Sequence, residues 1–96
     1  MKIMISQPMR GKTNEQIKLE RESLVEQLEA QGHEVLKTVF DLAPKGCDEA
    51  IYYLAKSIEF LGQADAVVFM PGWNNARGCR IEYQVASEYG KFIKLI

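Results

Sequence analysis

Two stretches of this chain gather side chains able to do chemistry: Ser6-Gln7-Pro8-Met9-Arg10-Gly11-Lys12-Thr13 and Pro71-Gly72-Trp73-Asn74-Asn75-Ala76-Arg77-Gly78-Cys79-Arg80-Ile81-Glu82. In the second, Glu82 falls beside Ile81 and ahead of Val85, at the border of an apolar helical stripe, so its carboxylate should be half-buried and point into a cleft. A carboxylate so placed can attack an anomeric carbon, and a nearby helix N-terminus helps to keep it ionised. The same spacing also fits an ion pair with Arg77 or Arg80. Trp73 can stack on a base or plug a hydrophobic gap. Asn74 and Asn75 suit turns and caps, or ligation of sugar hydroxyls.

The first stretch looks like a Walker A loop in which Ser6 replaces the first glycine. Pro8 stiffens a loop whose amides would have to wrap phosphates, and no Asp closes the third strand, so a nucleoside triphosphatase is not expected. A milder role remains, in which the loop amides, a helix N-terminus and Arg10 hold one phosphate or carboxylate. A solvated turn with a helix cap is the plain alternative.

These loops need elements to position them. Lys2 to Ser6 reads as a strand ended by breakers, and Ile17, Leu24, Val25 and Leu28 recur at helical spacing over about residues 14–31, with Thr13 or Asn14 as cap and Gly32 as stop. His33 to Phe40 reads as a second strand. Asp48 caps a second helix to about Gly62, with Ile51, Leu54, Ala55, Ile58 and Leu61 as its stripe. The nearly continuous apolar run Ala64 to Met70 has the character of a central parallel strand. After a loop through Arg80, a third helix carries Ile81, Val85, Ala86 and Tyr89 to Gly90, and Phe92 to Ile96 is a last strand. The order βαβαβαβ predicts one α/β domain over residues 1–96, a three-layer sandwich with a four-stranded parallel sheet in the order 2-1-3-4. In such sheets ligands sit beyond the carboxyl ends of the strands at the switch point, here between strands one and three, which selects the same two loops.

Composition narrows the partners. The chain has 96 residues, 47% hydrophobic and 26% charged, and a formal net charge of -1 with Lys and Arg scattered among acids. That balance excludes a basic footprint for duplex nucleic acid and favours small ligands. No apolar run nears membrane-spanning length and Met1 to Ser6 reads as strand rather than leader, so a cytoplasmic protein without membrane contact is expected. Cys47 and Cys79 should then be reduced thiols. With His33 as the one histidine, neither a metal site nor a cofactor is expected. So small a domain hides a limited share of its apolar surface, which predicts a homodimer or larger homo-oligomer.

The segment Ala64-Asp65-Ala66-Val67-Val68-Phe69, followed by Gly78, Glu82, Ala86 and Gly90-Lys91, resembles the signature of the nucleoside 2-deoxyribosyltransferase and deoxynucleoside monophosphate N-glycosidase superfamily. Strand one and its Arg10-Gly11 loop fit too, and ISQPMRGKT and PGWNNARGCRIE are similar to a compact bacterial and phage branch of it. The resemblance implies a flavodoxin-like fold and an N-glycosidic bond hydrolase or transferase acting on nucleosides or deoxynucleoside 5′-monophosphates. Glu82 would be the nucleophile in retaining glycosyl chemistry. Binding would fall to Ser6, Gln7, Arg10 and Gly11 around the 5′ end, Ser57 and Asn75 at the sugar, and Gly72, Trp73 and Gly78 around the base and cleft. One departure matters: an Asp that the family carries on helix two falls here on Ser57, which cannot supply its charge. A non-catalytic nucleotide-binding module of the same fold is therefore the alternative.

Overall fold

Ile3, Met4 and Ile5 are nearly solvent-free and place β1 (Lys2–Ser6) in the middle of the molecule. The structure, a computed structural model, describes residues 1–39 and 43–96. After β1 come α1 (Asn14–Ala30), β2 (Glu34–Val35), α2 (Glu49–Leu61), β3 (Ala66–Phe69), a single 3-10 turn (Trp73–Asn75), α3 (Arg77–Glu88) and β4 (Phe92–Leu95). The Thr13 side chain caps α1 by accepting from the Gln16 amide, while the Gln16 side chain accepts from the Thr13 amide. This reciprocal pair satisfies two amides that the first helical turn leaves unbonded. Asp48 likewise caps α2 through the Ile51 amide.

The four strands form one parallel sheet in the order β2-β1-β3-β4, the three-layer α/β arrangement expected from the alternation of periods. Alternation along the strands divides the core in two. Ile3, Ile5, Ala66 and Val68 pack with Leu24, Val25 and Leu28 of α1. Met4, Val67 and Phe69 pack on the other face with Leu61 and Ile58 of α2 and Ala86 and Val85 of α3. Consecutive residues at the end of β1 therefore point toward opposite helical layers.

Three details depart from the sequence reading. The second strand, expected over 33–40, is confined to Glu34–Val35. The Leu36 amide still donates to Ile3 O at 2.9 Å, but at the next rung it is the Thr38 hydroxyl that approaches Ile5 O, at 3.5 Å, so a side chain ends the ladder. Phe40, the expected end of that strand, lies outside the described residues. The stripe of α2 is also displaced. Leu61 is buried and Leu54 and Ile58 half-buried as expected, but Ile51 is 64% exposed and Ala55 is exposed, while Ser57, outside the stripe, is buried. At 1.5 Å per helical residue and about 3.3 Å per strand residue, a 13-residue helix outruns strands of four or five residues, so its first turn overhangs the sheet. In α3 the helix begins at Arg77 rather than after Arg80, and Cys79, Glu82 and Ala86 form its buried face while Ile81 and Tyr89 stay exposed.

No helix among the described residues is long and apolar enough to cross a membrane. The displaced stripe of α2 has a measurable consequence. Phe69→Ala, at a fully buried position, should lower the urea-unfolding free energy by about 3–5 kcal/mol, whereas Ile51→Ala should change it by less than about 0.5 kcal/mol. Similar losses for both would contradict this packing.

Candidate functional site

β1 ends with Ser6 turned toward α3 and Gln7 turned toward α1, and both are buried. The Ser6 hydroxyl donates to Glu82 Oε2 at 3.3 Å. Glu82 is 7% exposed and sits one and a half turns into α3, on the face it shares with Cys79 and Ala86. The carboxylate thus meets the carboxyl end of β1, where open parallel sheets receive ligands.

The ion pair weighed for Glu82 does not form. Arg77 and Arg80 are exposed, and Arg80 Nη1 donates instead to Asn74 O at 3.2 Å. The cation that acts on Glu82 is Arg21 of α1, a residue the sequence reading did not single out. Arg21 is 6% exposed; its Nε donates to Gln7 Oε1 at 2.8 Å and its Nη1 to Thr38 Oγ1 at 3.1 Å. A signal for it was present, because Ile17, Arg21, Leu24 and Leu28 follow helical spacing and place the guanidinium in the buried stripe.

Burial pushes the Glu82 carboxyl up to about 7, against the opposing pull of the Ser6 hydroxyl and the Arg21 charge. Burial also pulls Arg21 down to about 10, with Glu82 resisting. The Cys79 thiol, beside Ser6, is raised mainly by burial, so it is not an activated thiolate.

The two loops meet above this pair. Met9 to Lys12 form a turn closed by the Lys12 amide on Met9 O at 3.1 Å, with Gly11 at φ +78°, the third-position conformation of a type II turn. Arg10 stands exposed at its tip and makes no hydrogen bond or ion pair among the described residues. Lys12 is engaged with Glu20 at 2.9 Å, and Gln7 Nε2 donates to Glu20 Oε1 and Ile17 O. Gly72, at φ +88°, faces Pro8, whose Cγ would lie 3.6 Å from a Cβ there, so the second loop touches the first at this point.

The remaining expected residues are distributed unevenly. Trp73 is half-buried, stacked on Tyr83 with ring centroids 4.7 Å apart and tilted against Phe69 at 5.3 Å. Those contacts fill a hydrophobic gap. Asn75 is exposed, and Gly78 in the first turn of α3 has open space where a Cβ would stand. Ser57 lies on the buried face of α2, and its hydroxyl makes no hydrogen bond among the described residues. No cluster of three or more His, Cys, Asp or Glu able to hold a metal occurs among the described residues.

A hollow of about 560 Å³ runs along α1, where Leu19 and Val25 lie among four glutamates and the cations Lys18 and Arg21. Its four glutamates outnumber the two cations, which disfavours an anionic ligand.

The electrostatics carry a sign. Because the native carboxyl of Glu82 holds its proton to about 7 and the ordinary value is 4.5, the native state binds more protons than the unfolded chain between these limits, and stability falls as pH rises through them. Glu82→Gln should therefore match the wild type below pH 4.5 and exceed it at pH 8, by about 2–3 kcal/mol in urea unfolding. Lower stability of the variant at pH 8, as loss of an ion pair would produce, would contradict this.

Neither a curated protein nor a solved structure matches the chain. A family profile does match, that of Domain of unknown function (DUF4406), over residues 1–95, which takes in both loops, Arg21 and Glu82. The chain therefore belongs to the DUF4406 family.

Proposed function

We propose that the protein is a nucleoside 2-deoxyribosyltransferase-like enzyme that hydrolyses or transfers the N-glycosidic bond of nucleosides or deoxynucleoside 5′-monophosphates. The observation that carries the reading is the buried Glu82 carboxylate at the carboxyl end of β1, held by the Ser6 hydroxyl and not neutralised by a direct ion pair. A carboxylate kept for structure alone would be matched by a cation in contact. This one carries a raised pKa in the crevice where ligands of such sheets bind, as catalytic carboxylates do.

In the proposed reaction a Glu82 oxygen bonds to the anomeric carbon as the carbon–nitrogen bond breaks. The bonding pair leaves with the base, which takes a proton from solvent. Water, or a second base, then attacks the same carbon and gives up its proton to solvent as the bond to Glu82 breaks, with net retention at that centre. Arg10 at the turn tip, with the amides near Gly11, supplies a positive group for a 5′-phosphate, and Gly78 leaves the start of α3 open on the other side. Ser6 and Gln7 hold the site from beneath, Asn75 and Ser57 offer polar groups to the sugar, and Gly72 and Trp73 form a wall for the base. The Trp73 face turned to Tyr83 is already occupied, so base contact falls to its edge or its other face.

One observation favours a second reading, a nucleotide-binding module without turnover. Besides burial, the groups acting on Glu82 among the described residues are Ser6 and Arg21, neither of them a carboxylate, and Ser57 stands where the resembling enzymes carry an Asp. Free base released from a panel of nucleosides and monophosphates separates the two. The enzyme reading expects release that rises with pH through about 7 and levels above it, as the nucleophile ionises, and that falls at least about a hundredfold in Glu82→Gln while ligand binding persists. Binding with no release by the wild type would leave the module.

We infer further that the chain works in the cytoplasm as a homodimer or larger assembly. The support is the apolar edge formed by Tyr89, Phe92, Leu95 and Ile96, which are 78%, 66%, 53% and 49% exposed. Sedimentation at micromolar concentration should give at least a dimer, dissociated by Phe92→Glu; a wild-type monomer would contradict it.

A further inference from the structure

An arginine inside an α/β core is costly, because its guanidinium keeps its charge and desolvation amounts to several kcal/mol unless the surroundings repay it. A methionine or leucine at position 21 would continue the apolar stripe of α1 at no such cost. The repayment Arg21 receives locally is incomplete. Its two hydrogen-bonded partners, the Gln7 side-chain carbonyl and the Thr38 hydroxyl, are neutral, and Nη2 is buried with no hydrogen-bond partner among the described residues. Glu20, one residue before it, is committed to Lys12 and Gln7. The carboxylate whose charge acts on the guanidinium is Glu82, which reaches the sheet from the opposite layer.

The link between them is short in chain terms. Gln7 holds Arg21 and Ser6 holds Glu82, and these are adjacent residues at the end of β1 that point to opposite faces. We propose that Arg21 is the positioning residue of the Glu82 site, its buried charge favouring the ionised carboxylate across the end of β1 while Gln7 and Ser6 fix the two groups in register. The proposal rests on the reading of Glu82 as a nucleophile for its purpose, but not for its test.

Among the described residues, Arg21 is the one cation whose charge acts on Glu82. From its own helix the neutral Cys79 thiol is the titratable neighbour, and Arg77 and Arg80 are exposed. β1 supplies Ser6, the buried residues of β3 are apolar, the buried face of α2 carries the neutral Ser57 and Leu61, and Lys56 and Glu59 of α2 pair with each other at 3.5 Å. From α1 comes Arg21.

Carbon-13 NMR of glutamate carboxyls, with the Glu82 resonance identified by its loss in Glu82→Gln, reads the ionisation directly and needs no turnover. Arg21→Gln removes the charge and keeps a polar side chain; the Glu82 midpoint should rise by about one pH unit, the size expected for loss of one nearby opposite charge. Arg21→Lys, which keeps the charge, should hold it closer to the wild-type midpoint. A reciprocal measurement covers failure of Arg21→Gln to fold: the guanidinium resonances of Arg21 in the wild type should titrate with the Glu82 midpoint and lose that step in Glu82→Gln. An unchanged midpoint in folded Arg21→Gln, or Arg21 resonances indifferent to Glu82, would overturn the proposal. Base release tests the nucleophile separately: if both readings hold, Arg21→Gln moves the pH profile of release upward by the same amount, and if the wild type releases no base while the midpoint still moves, the positioning role stands without the enzyme.

Discussion

A carboxylate taken out of water with a hydroxyl as its one hydrogen-bonding partner among the described residues has to be accommodated by everything around it, and in this chain β1, α1 and α3 meet at that point. Glu82 accepts from Ser6, which is 1% exposed and cannot turn to another layer. Ser6 is followed by Gln7, which turns to the opposite face and is bound by Arg21. The carboxylate and the guanidinium therefore lie on two sides of one strand end, close enough to feel each other's charge and not in contact. Full pairing would lower the Glu82 pKa and satisfy Arg21, at the loss of a carboxylate available to a ligand. The separation keeps both groups energetically unsatisfied, which is the state expected of a site and not of a strut.

The scaffold around this pair is assembled from ordinary local devices. Thr13 and Gln16 cap α1 so that its start lies next to the Met9–Lys12 turn, and the left-handed Gly72 lets the second loop settle against Pro8. Trp73, Tyr83 and Phe69 pack as an aromatic group between the second loop, α3 and β3. This group ties the second loop and the position of α3, hence of Glu82, to the strand that runs beside β1.

Element order and sheet topology could be read from the chain because hydrophobic period and breakers change together, as at Gly32, Gly62 and Pro71. The run Val67-Val68-Phe69, bounded by breakers, has the character of a strand covered on both faces. Helix faces were less readable. Ile51, Ile81 and Tyr89 fit an apolar stripe by type and spacing, but α2 overhangs a short sheet and α3 begins at Arg77, and neither length mismatch nor helix start is written in periodicity. Glu82 stood out since a carboxylate beside a stripe near a glycine-rich loop is unusual in itself. Its partner did not, because Arg77 and Arg80 are near in sequence and Arg21 is near in space. The spacing of Arg21 within the stripe of α1 was the available clue, and an arginine there is easily taken for a residue that reaches out to water.

The claim on which this account turns is that Glu82 forms a bond to the sugar. A deoxynucleoside analogue fluorinated at sugar C2 slows the second half of a retaining reaction more than the departure of a good leaving base, so the glycosyl ester should persist long enough to weigh. Mass spectrometry of the intact chain after incubation, followed by peptide mapping, should show one added fluorosugar on the peptide that carries Glu82, and none in Glu82→Gln. Base released with no adduct, or an adduct on a peptide without Glu82, would contradict the account.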